Sequence, residues 1–243
     1  MRWSVVVALL VFGGCGGSAA RVSAPVEPTP TPAFVAKPEP KAKPRAPRYA
    51  TARVVHRTTL RSSPGGAVLA RIGRTTEFGS ARVLAVIGRR GGWLRVIASE
   101  RRNGQRTWIR ARAVRLDGTN ISIRVDRSAR RLVLRRGSKV LRRMPIAVGR
   151  RGNETPLGRF AVTDLLRTSD PGSPYGCCAL ALSGHQPKLV PGWPGGDRLA
   201  IHGTPNEETV GTEASLGCMR AYDKDIRALM RRVPLGAPVF VRA

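Results

Sequence analysis

Short apolar runs, broken by clusters of glycine, serine, proline and asparagine, dominate this chain, and only one stretch repeats at helical spacing. Between residues 51 and 117, Val54-Val55, Val68-Leu69-Ala70, Val83-Leu84-Ala85-Val86-Ile87, Trp93-Leu94-Arg95-Val96 and Thr107-Trp108-Ile109 are β-favouring runs. Ser62-Ser63-Pro64-Gly65-Gly66, Gly91-Gly92 and Asn103-Gly104 separate them as turns, which predicts a small all-β domain. Further on, Cys177-Cys178-Ala179-Leu180-Ala181-Leu182 reads as a buried strand. Leu199-Ala200-Ile201 reads as a short strand that Gly203-Thr204-Pro205 ends, and Pro238-Val239-Phe240-Val241 as a closing strand. The helical spacing is that of Ile226, Leu229, Met230 and Val233, with Arg227, Arg231 and Arg232 elsewhere around the turn. Asp223 is the predicted N-cap of that helix and Pro234 its stop. The fold class expected is therefore mainly β, with one short helix.

The N-terminal pattern is different. An apolar run over residues 5–12 follows Arg2; it is too short to span a bilayer and has the length of a signal-peptide core. Gly13-Gly14-Cys15 then resembles a bacterial lipobox, so export and lipidation of Cys15 are expected, with Phe12 departing from the usual Leu. Cleavage near Ser18-Ala19-Ala20, giving a secreted protein, is the alternative. Over residues 16–50 nothing is periodic, and eight prolines fall between residues 25 and 47. This reads as a tether of polyproline type, extending about 3.1 Å per residue. It would hold the rest of the chain on the order of 100 Å from an anchored Cys15. The expected organisation is a signal segment over 1–15, a Pro-rich tether over 16–50, a β domain over 51–117 and a second domain over 118–243.

Charge adds a partner class. The formal net charge is +28, and only six of the 43 basic residues are Lys, so a general preference for Arg explains part of it. The remainder suits anionic envelope polymers or lipid head groups. Nucleic acid is the other partner such charge implies, but no nucleic-acid motif accompanies it, and none is expected. A monomer is the expected state.

The candidate chemistry lies between residues 199 and 220. His202 sits at a strand end facing a loop, and the turn Ser215-Leu216-Gly217 delivers Cys218 ahead of the helix. A free thiol has a pKa of about 8.5, so it needs a base or a nearby positive charge to act as a nucleophile at neutral pH. His202 can take the Cys218 proton and return it to a leaving amine. Gly217 lets the backbone approach a substrate, and the amides of Gly217 and Cys218 are candidate oxyanion donors. Arg220 offers a forked donor for a carboxylate, while Ser215 or a backbone carbonyl would orient the imidazole. Taken alone, one Cys and one His favour a buried structural thiol beside a satisfied imidazole.

His202-Gly203-Thr204, followed by Ser215-x-Gly217-Cys218-x-Arg220, resembles the active-site signature of the L,D-transpeptidase (YkuD-like) family of peptidoglycan enzymes. Ile123-Arg124-Val125-Asp126, Leu132-Val133-Leu134, the turn Arg136-Gly137-Ser138 and Pro145-Ile146-Ala147-Val148-Gly149 resemble its opening hairpin and third strand. Thr155-Pro156-Leu157-Gly158-Arg159-Phe160 resembles its Thr-Pro-x-Gly-x-Phe turn. Leu216 departs from the pattern, standing where many members carry a second His. The resemblance implies a β-sandwich with a short helix after the catalytic Cys. It also implies ping-pong acyl transfer between peptidoglycan stem peptides, a thiol that carbapenems acylate, and no metal or organic cofactor. In that reading Cys218, His202, Gly217 and Ser215 carry catalysis, while Arg220, Gly203 and Thr204 contact substrate. Two other outcomes remain open: an L,D-carboxypeptidase using the same residues, and a non-catalytic wall-binding lipoprotein.

Leu60-Arg61-Ser62-Ser63-Pro64, Gly92-Trp93-Leu94-Arg95-Val96 and Trp108-Ile109 resemble a bacterial SH3-like β-barrel, a module that commonly binds cell-wall peptides. Trp93 and Trp108 then either line a peptide site or pack as core. Of the other cysteines, Cys177 or Cys178 is expected to pack as core, with a vicinal disulfide next and a redox link to Cys218 as the third arrangement. Zinc is not expected, because no residue separates that Cys pair. His185, in a turn-like loop, competes with His202 as base and is otherwise a substrate-loop contact, and Trp193-Pro194-Gly195-Gly196-Asp197 reads as a loop lining the same side. His56 has no expected role.

Overall fold

The computed structural model describes residues 47–243 apart from 171, 193 and 194; the signal segment, Cys15, the tether up to residue 46 and Trp193-Pro194 lie outside the described residues. Seven strands build the first sheet: Tyr49–Val54 (β1), Thr58–Arg61 (β2), Val68–Ile72 (β3), Val83–Arg90 (β4), Trp93–Ile97 (β5), Thr107–Arg110 (β6) and Val114–Thr119 (β7). Their order is β3-β2-β6-β5-β4-β1-β7 and every pairing is antiparallel. Leu60, Leu94, Val96 and Ile109 form its core. Trp93 is buried and carries the Arg110 guanidinium on its ring at 4.0 Å, so of the two readings this indole takes the packed one.

The second region adds Ile121–Asp126 (β8), Arg131–Arg136 (β9), Lys139–Pro145 (β10), Val148–Gly149 (β11), Gly158–Arg167 (β12), Cys178–His185 (β13), Arg198–His202 (β14), Glu213–Ser215 (β15), Met219–Arg220 (β16) and Pro238–Arg242 (β17). Eight of these form one sheet in the order β10-β9-β8-β17-β12-β13-β14-β16, and β11 pairs β15 separately in parallel. Alternation along β9 buries Leu132 and Leu134 completely while Arg131 faces out, each leucine contributing about 1.5–3 kcal/mol. The third strand runs over Lys139–Pro145 rather than from Pro145 onward as the resemblance implied. Its arginines face solvent and only Met144 is buried, which masks the strand in a hydropathy pattern. β13 lies inside the sheet, between β12 and β14, and is buried on both faces almost to its end, so its residues read as one apolar run.

The single α-helix among the described residues, Asp223–Met230 (α1), follows β16 and buries Ile226 and Leu229 against the second core. Its N-cap residue is Tyr222, not Asp223, and no side chain caps it. Asp223 instead accepts the Cys177 N–H through both carboxylate oxygens, at 3.0 and 3.1 Å. No helix among the described residues is long and apolar enough to cross a membrane.

The two sheets meet through specific polar contacts. Thr76 hydrogen-bonds Asp164, Glu77 pairs with Arg198, and Asn103 bonds the backbone of His185. Ala85, Ile97 and Ala161 pack together beside them.

Candidate active site

Strand pairing brings the predicted pair together. β14 ends at His202 and β16 begins at Met219; their parallel register sets Ile201 beside Met219 and His202 beside Arg220. Cys218, one residue before β16, is thereby level with Ala200, whose N–H donates to Sγ at 3.3 Å. The thiol hydrogen is directed at the Arg198 carbonyl, 3.8 Å away. Cys218 and His202 both line one cavity of about 50 Å³, together with Tyr175, Lys188, Leu216 and Arg220.

The loop that presents the thiol is held at each carbonyl. Ser215 Oγ accepts the Gly217 N–H at 3.0 Å and donates to the Cys218 carbonyl at 2.5 Å, closing a side-chain turn. Thr155, completely buried, donates its hydroxyl to the Gly217 carbonyl at 2.8 Å and accepts the Gly149 N–H at 2.9 Å. Gln186 Nε2 donates to the Leu216 carbonyl at 3.0 Å and to the Asn153 carbonyl at 3.1 Å. Gly217 has φ +120°, and a Cβ there would strike that same amide nitrogen.

These bonds correct one expectation. The Gly217 amide is not free for an oxyanion, because the Ser215 hydroxyl already accepts it. The Cys218 N–H has no acceptor among the described residues and is the donor left over.

The imidazole is set by a carbonyl rather than by Ser215. His202 is buried, and its Nδ1 lies 2.6 Å from the Gly203 carbonyl. A carbonyl only accepts, so the proton sits on Nδ1 and Nε2 keeps its lone pair. The Tyr175 ring meets His202 edge-on with centroids 5.0 Å apart. Burial pulls His202 down to about 4 from its usual 6.5, against the Gly203 bond, and the Arg220 charge adds to the fall. Burial pushes the Cys218 thiol up, while the Ala200 N–H and Arg220 draw it back. The resting pair is therefore thiol and neutral imidazole.

That depressed value predicts a pH dependence of folding. The unfolded chain takes up the His202 proton at its usual 6.5 and the native state not until about 4. Stability from this group is therefore present above pH 6.5 and falls between about pH 6.5 and pH 4, by about 3 kcal/mol. Urea unfolding across that window is expected to show a steeper acid loss for wild type than for His202→Gln; equal slopes would reject the buried neutral state.

The other predicted residues divide. Arg220 lines the cavity, and its Nε is buried with no partner among the described residues. Gly203 supplies the carbonyl behind the imidazole, and Asp223 packs where its Cβ would lie. Thr204 is turned away, accepting the Asn206 N–H at 3.2 Å. His185 has both ring nitrogens engaged away from Cys218: Nε2 lies 2.6 Å from the Ser99 carbonyl and Nδ1 3.0 Å from Asp197. Cys177 and Cys178 form a vicinal disulfide, the arrangement placed second, with Cys178 also buried in the core. Cys218 is free. Sequence reasoning missed Gln186 and Tyr175, which no local signal marked, and gave no role to Thr155, although it opens the quoted turn motif.

The chain is 34% identical over 119 residues to the YkuD protein of Bacillus subtilis and 32% identical over 119 residues to that of Bacillus licheniformis. Each match covers 49% of this chain and 64% of the relative, so the chain spans less than two thirds of the length of these relatives. A solved structure titled L,D-transpeptidase from Mycobacterium smegmatis is similar at 18% identity and a TM-score of 0.40, covering 57% of this chain and 73% of that one. Residues 120–241 match the YkuD family, described as the L,D-transpeptidase catalytic domain, and on that match the chain belongs to this family.

Proposed function

We propose that the protein is a peptidoglycan L,D-transpeptidase that forms 3→3 cross-links through a thioester on Cys218. One observation carries the reading: the Cys218 thiol and the His202 imidazole open on one cavity, with Nδ1 of the ring committed to the Gly203 carbonyl and Nε2 left to take a proton.

The steps follow from the resting state. Sγ turns from the Arg198 carbonyl toward His202 and gives its proton to Nε2 as it attacks the carbonyl of the third stem residue. The tetrahedral oxygen takes the Cys218 N–H, which of the two candidate amides is the one that Ser215 does not occupy. His202 returns the proton to the departing amine, releasing the terminal D-Ala and leaving the thioester. The side-chain amine of a neighbouring stem then attacks, passes a proton to His202, and the thiol is restored. Arg220 is the carboxylate clamp: its buried Nε lacks a partner among the described residues, and a bound carboxylate satisfies a group that otherwise costs about 1–3 kcal/mol. Leu216 makes one wall apolar, so His202 serves alone as base and acid.

Stem peptides lie outside the cytoplasmic membrane, so this reading requires export, which the run over residues 5–12 and Cys15 would provide. The N-terminal sheet would then act as a wall-binding module of the SH3-like kind. Incubation with tetrapeptide muropeptides is expected to yield dimers linked between third residues, and none with Cys218→Ala. Monomeric tripeptides without dimers would replace transfer to an amine by transfer to water, an L,D-carboxypeptidase. Unchanged tetrapeptides would reject both.

A further inference from the structure

The thiol loop is not braced by its own region alone. Gln186, 7% exposed, holds the Leu216 carbonyl, two residues before the nucleophile. Its amide oxygen is also engaged, by the Lys188 N–H at 3.1 Å. What fixes Gln186 is its neighbour. His185 leaves the end of β13 with every polar group occupied. Its N–H donates to Asn103 Oδ1 at 2.9 Å, its carbonyl accepts Asn103 Nδ2 at 2.6 Å, and its ring nitrogens face Ser99 and Asp197. The Gln186 N–H in turn donates to the Asp197 carbonyl at 2.6 Å. Asn103 and Ser99 belong to the segment between β5 and β6 of the first sheet, 82 residues away in sequence from the backbone that Asn103 grips.

From this geometry we infer that Asn103 is a positioning residue for Cys218, acting across the sheet boundary through His185 and Gln186. A side-chain amide that bonds both the N–H and the carbonyl of one residue imitates a strand pairing and fixes that residue in two directions. With His185 fixed, the Gln186 amide arrives at the Leu216 carbonyl with little freedom, and the loop presents Sγ in one place. Without Asn103 the fold persists, since Asn103 is a half-buried turn residue beside Gly104. The thiol loop then samples more positions, and displacements of about 1 Å at a reacting group cost up to about 10²-fold in rate.

The inference rests on Cys218 being the acylated thiol, and the experiment separates the two. Full-length wild type, Asn103→Ala, Gln186→Met, the double variant and Cys218→Ala are reacted with a carbapenem, and adduct mass is followed over time at several concentrations. Asn103→Ala is expected to lower the limiting acylation rate about tenfold with the half-saturating concentration unchanged, and Gln186→Met, at a residue that lines the cavity, to lower the rate about 30-fold. Because Asn103 acts through Gln186, the double variant should be no slower than Gln186→Met. Asn103→Asp, which keeps the acceptor for the His185 N–H but sets a carboxylate oxygen against the His185 carbonyl, should be no faster than alanine; it also serves as the test variant if thermal unfolding shows Asn103→Ala to be misfolded. A wild-type rate in Asn103→Ala, or losses that multiply in the double variant, overturns the inference. No adduct on wild type, or one that persists in Cys218→Ala, overturns the reading of Cys218 and this inference with it.

Discussion

His202→Ala is expected to slow carbapenem acylation of Cys218 by about 10³-fold near neutral pH, with a deficit that shrinks as the pH rises through 9. Burial has pushed the thiol up, and its hydrogen is directed at a backbone carbonyl, so almost no thiolate exists at neutral pH without a proton acceptor. Wild type has that acceptor over a wide range, because His202 stays neutral down to about 4. Its acylation rate is therefore flat from about pH 5 to pH 8, without the fall near 6.5 that an ordinary imidazole base gives. The variant depends on free thiolate alone, so its rate climbs about tenfold per pH unit until the thiol titrates. A wild-type acylation rate that falls as the pH drops through 6.5 would mean a base titrating at its ordinary value, and would remove the buried neutral imidazole from the mechanism.

The parts of this site that lie on strands were legible before any coordinates. Leu199-Ala200-Ile201 had to be a strand and Gly203-Thr204-Pro205 had to end it, so His202 fell at a strand end; the helical spacing after Cys218 fixed the other boundary. Strands rich in polar residues were not legible. Thr58–Arg61, Lys139–Pro145 and Val114–Thr119 carry arginine, lysine or aspartate outward and offer too few buried side chains to show alternation. Asp223 illustrates a different limit: its residue type suits an N-cap, and local preference gave way to a stronger tertiary partner, the Cys177 N–H. Gln186 and Thr155 were invisible as loop supports for the same reason. What each holds lies 30 and 62 residues away, and nothing in a polar side chain's neighbourhood along the chain announces such a partner.

The glycine before the nucleophile gives the second large effect. Gly217→Ala is expected to lower the limiting acylation rate about 10²-fold and to cost about 1–3 kcal/mol of stability. Two separate penalties act there. At φ +120° an alanine is strained whatever the space, and its Cβ falls on the Gln186 amide that holds the Leu216 carbonyl. Relief of either strain moves the loop: the backbone rotates, the Ser215 and Thr155 bonds to Gly217 lengthen, and Sγ leaves its place above the cavity. Gly137→Ala is the comparison, at φ +59° in the hairpin between β9 and β10 with open space where its Cβ would lie. It should lose some stability and acylate at the wild-type rate. Thermal unfolding, at about 2–4 °C per kcal/mol for a domain of this size, reports the first penalty in both variants. Only the acylation rate reports the movement of the loop, because it alone depends on where the sulfur sits. If Gly217→Ala acylates as fast as Gly137→Ala, the loop tolerates a shifted backbone and the bracing by Ser215, Thr155 and Gln186 has no bearing on the chemistry.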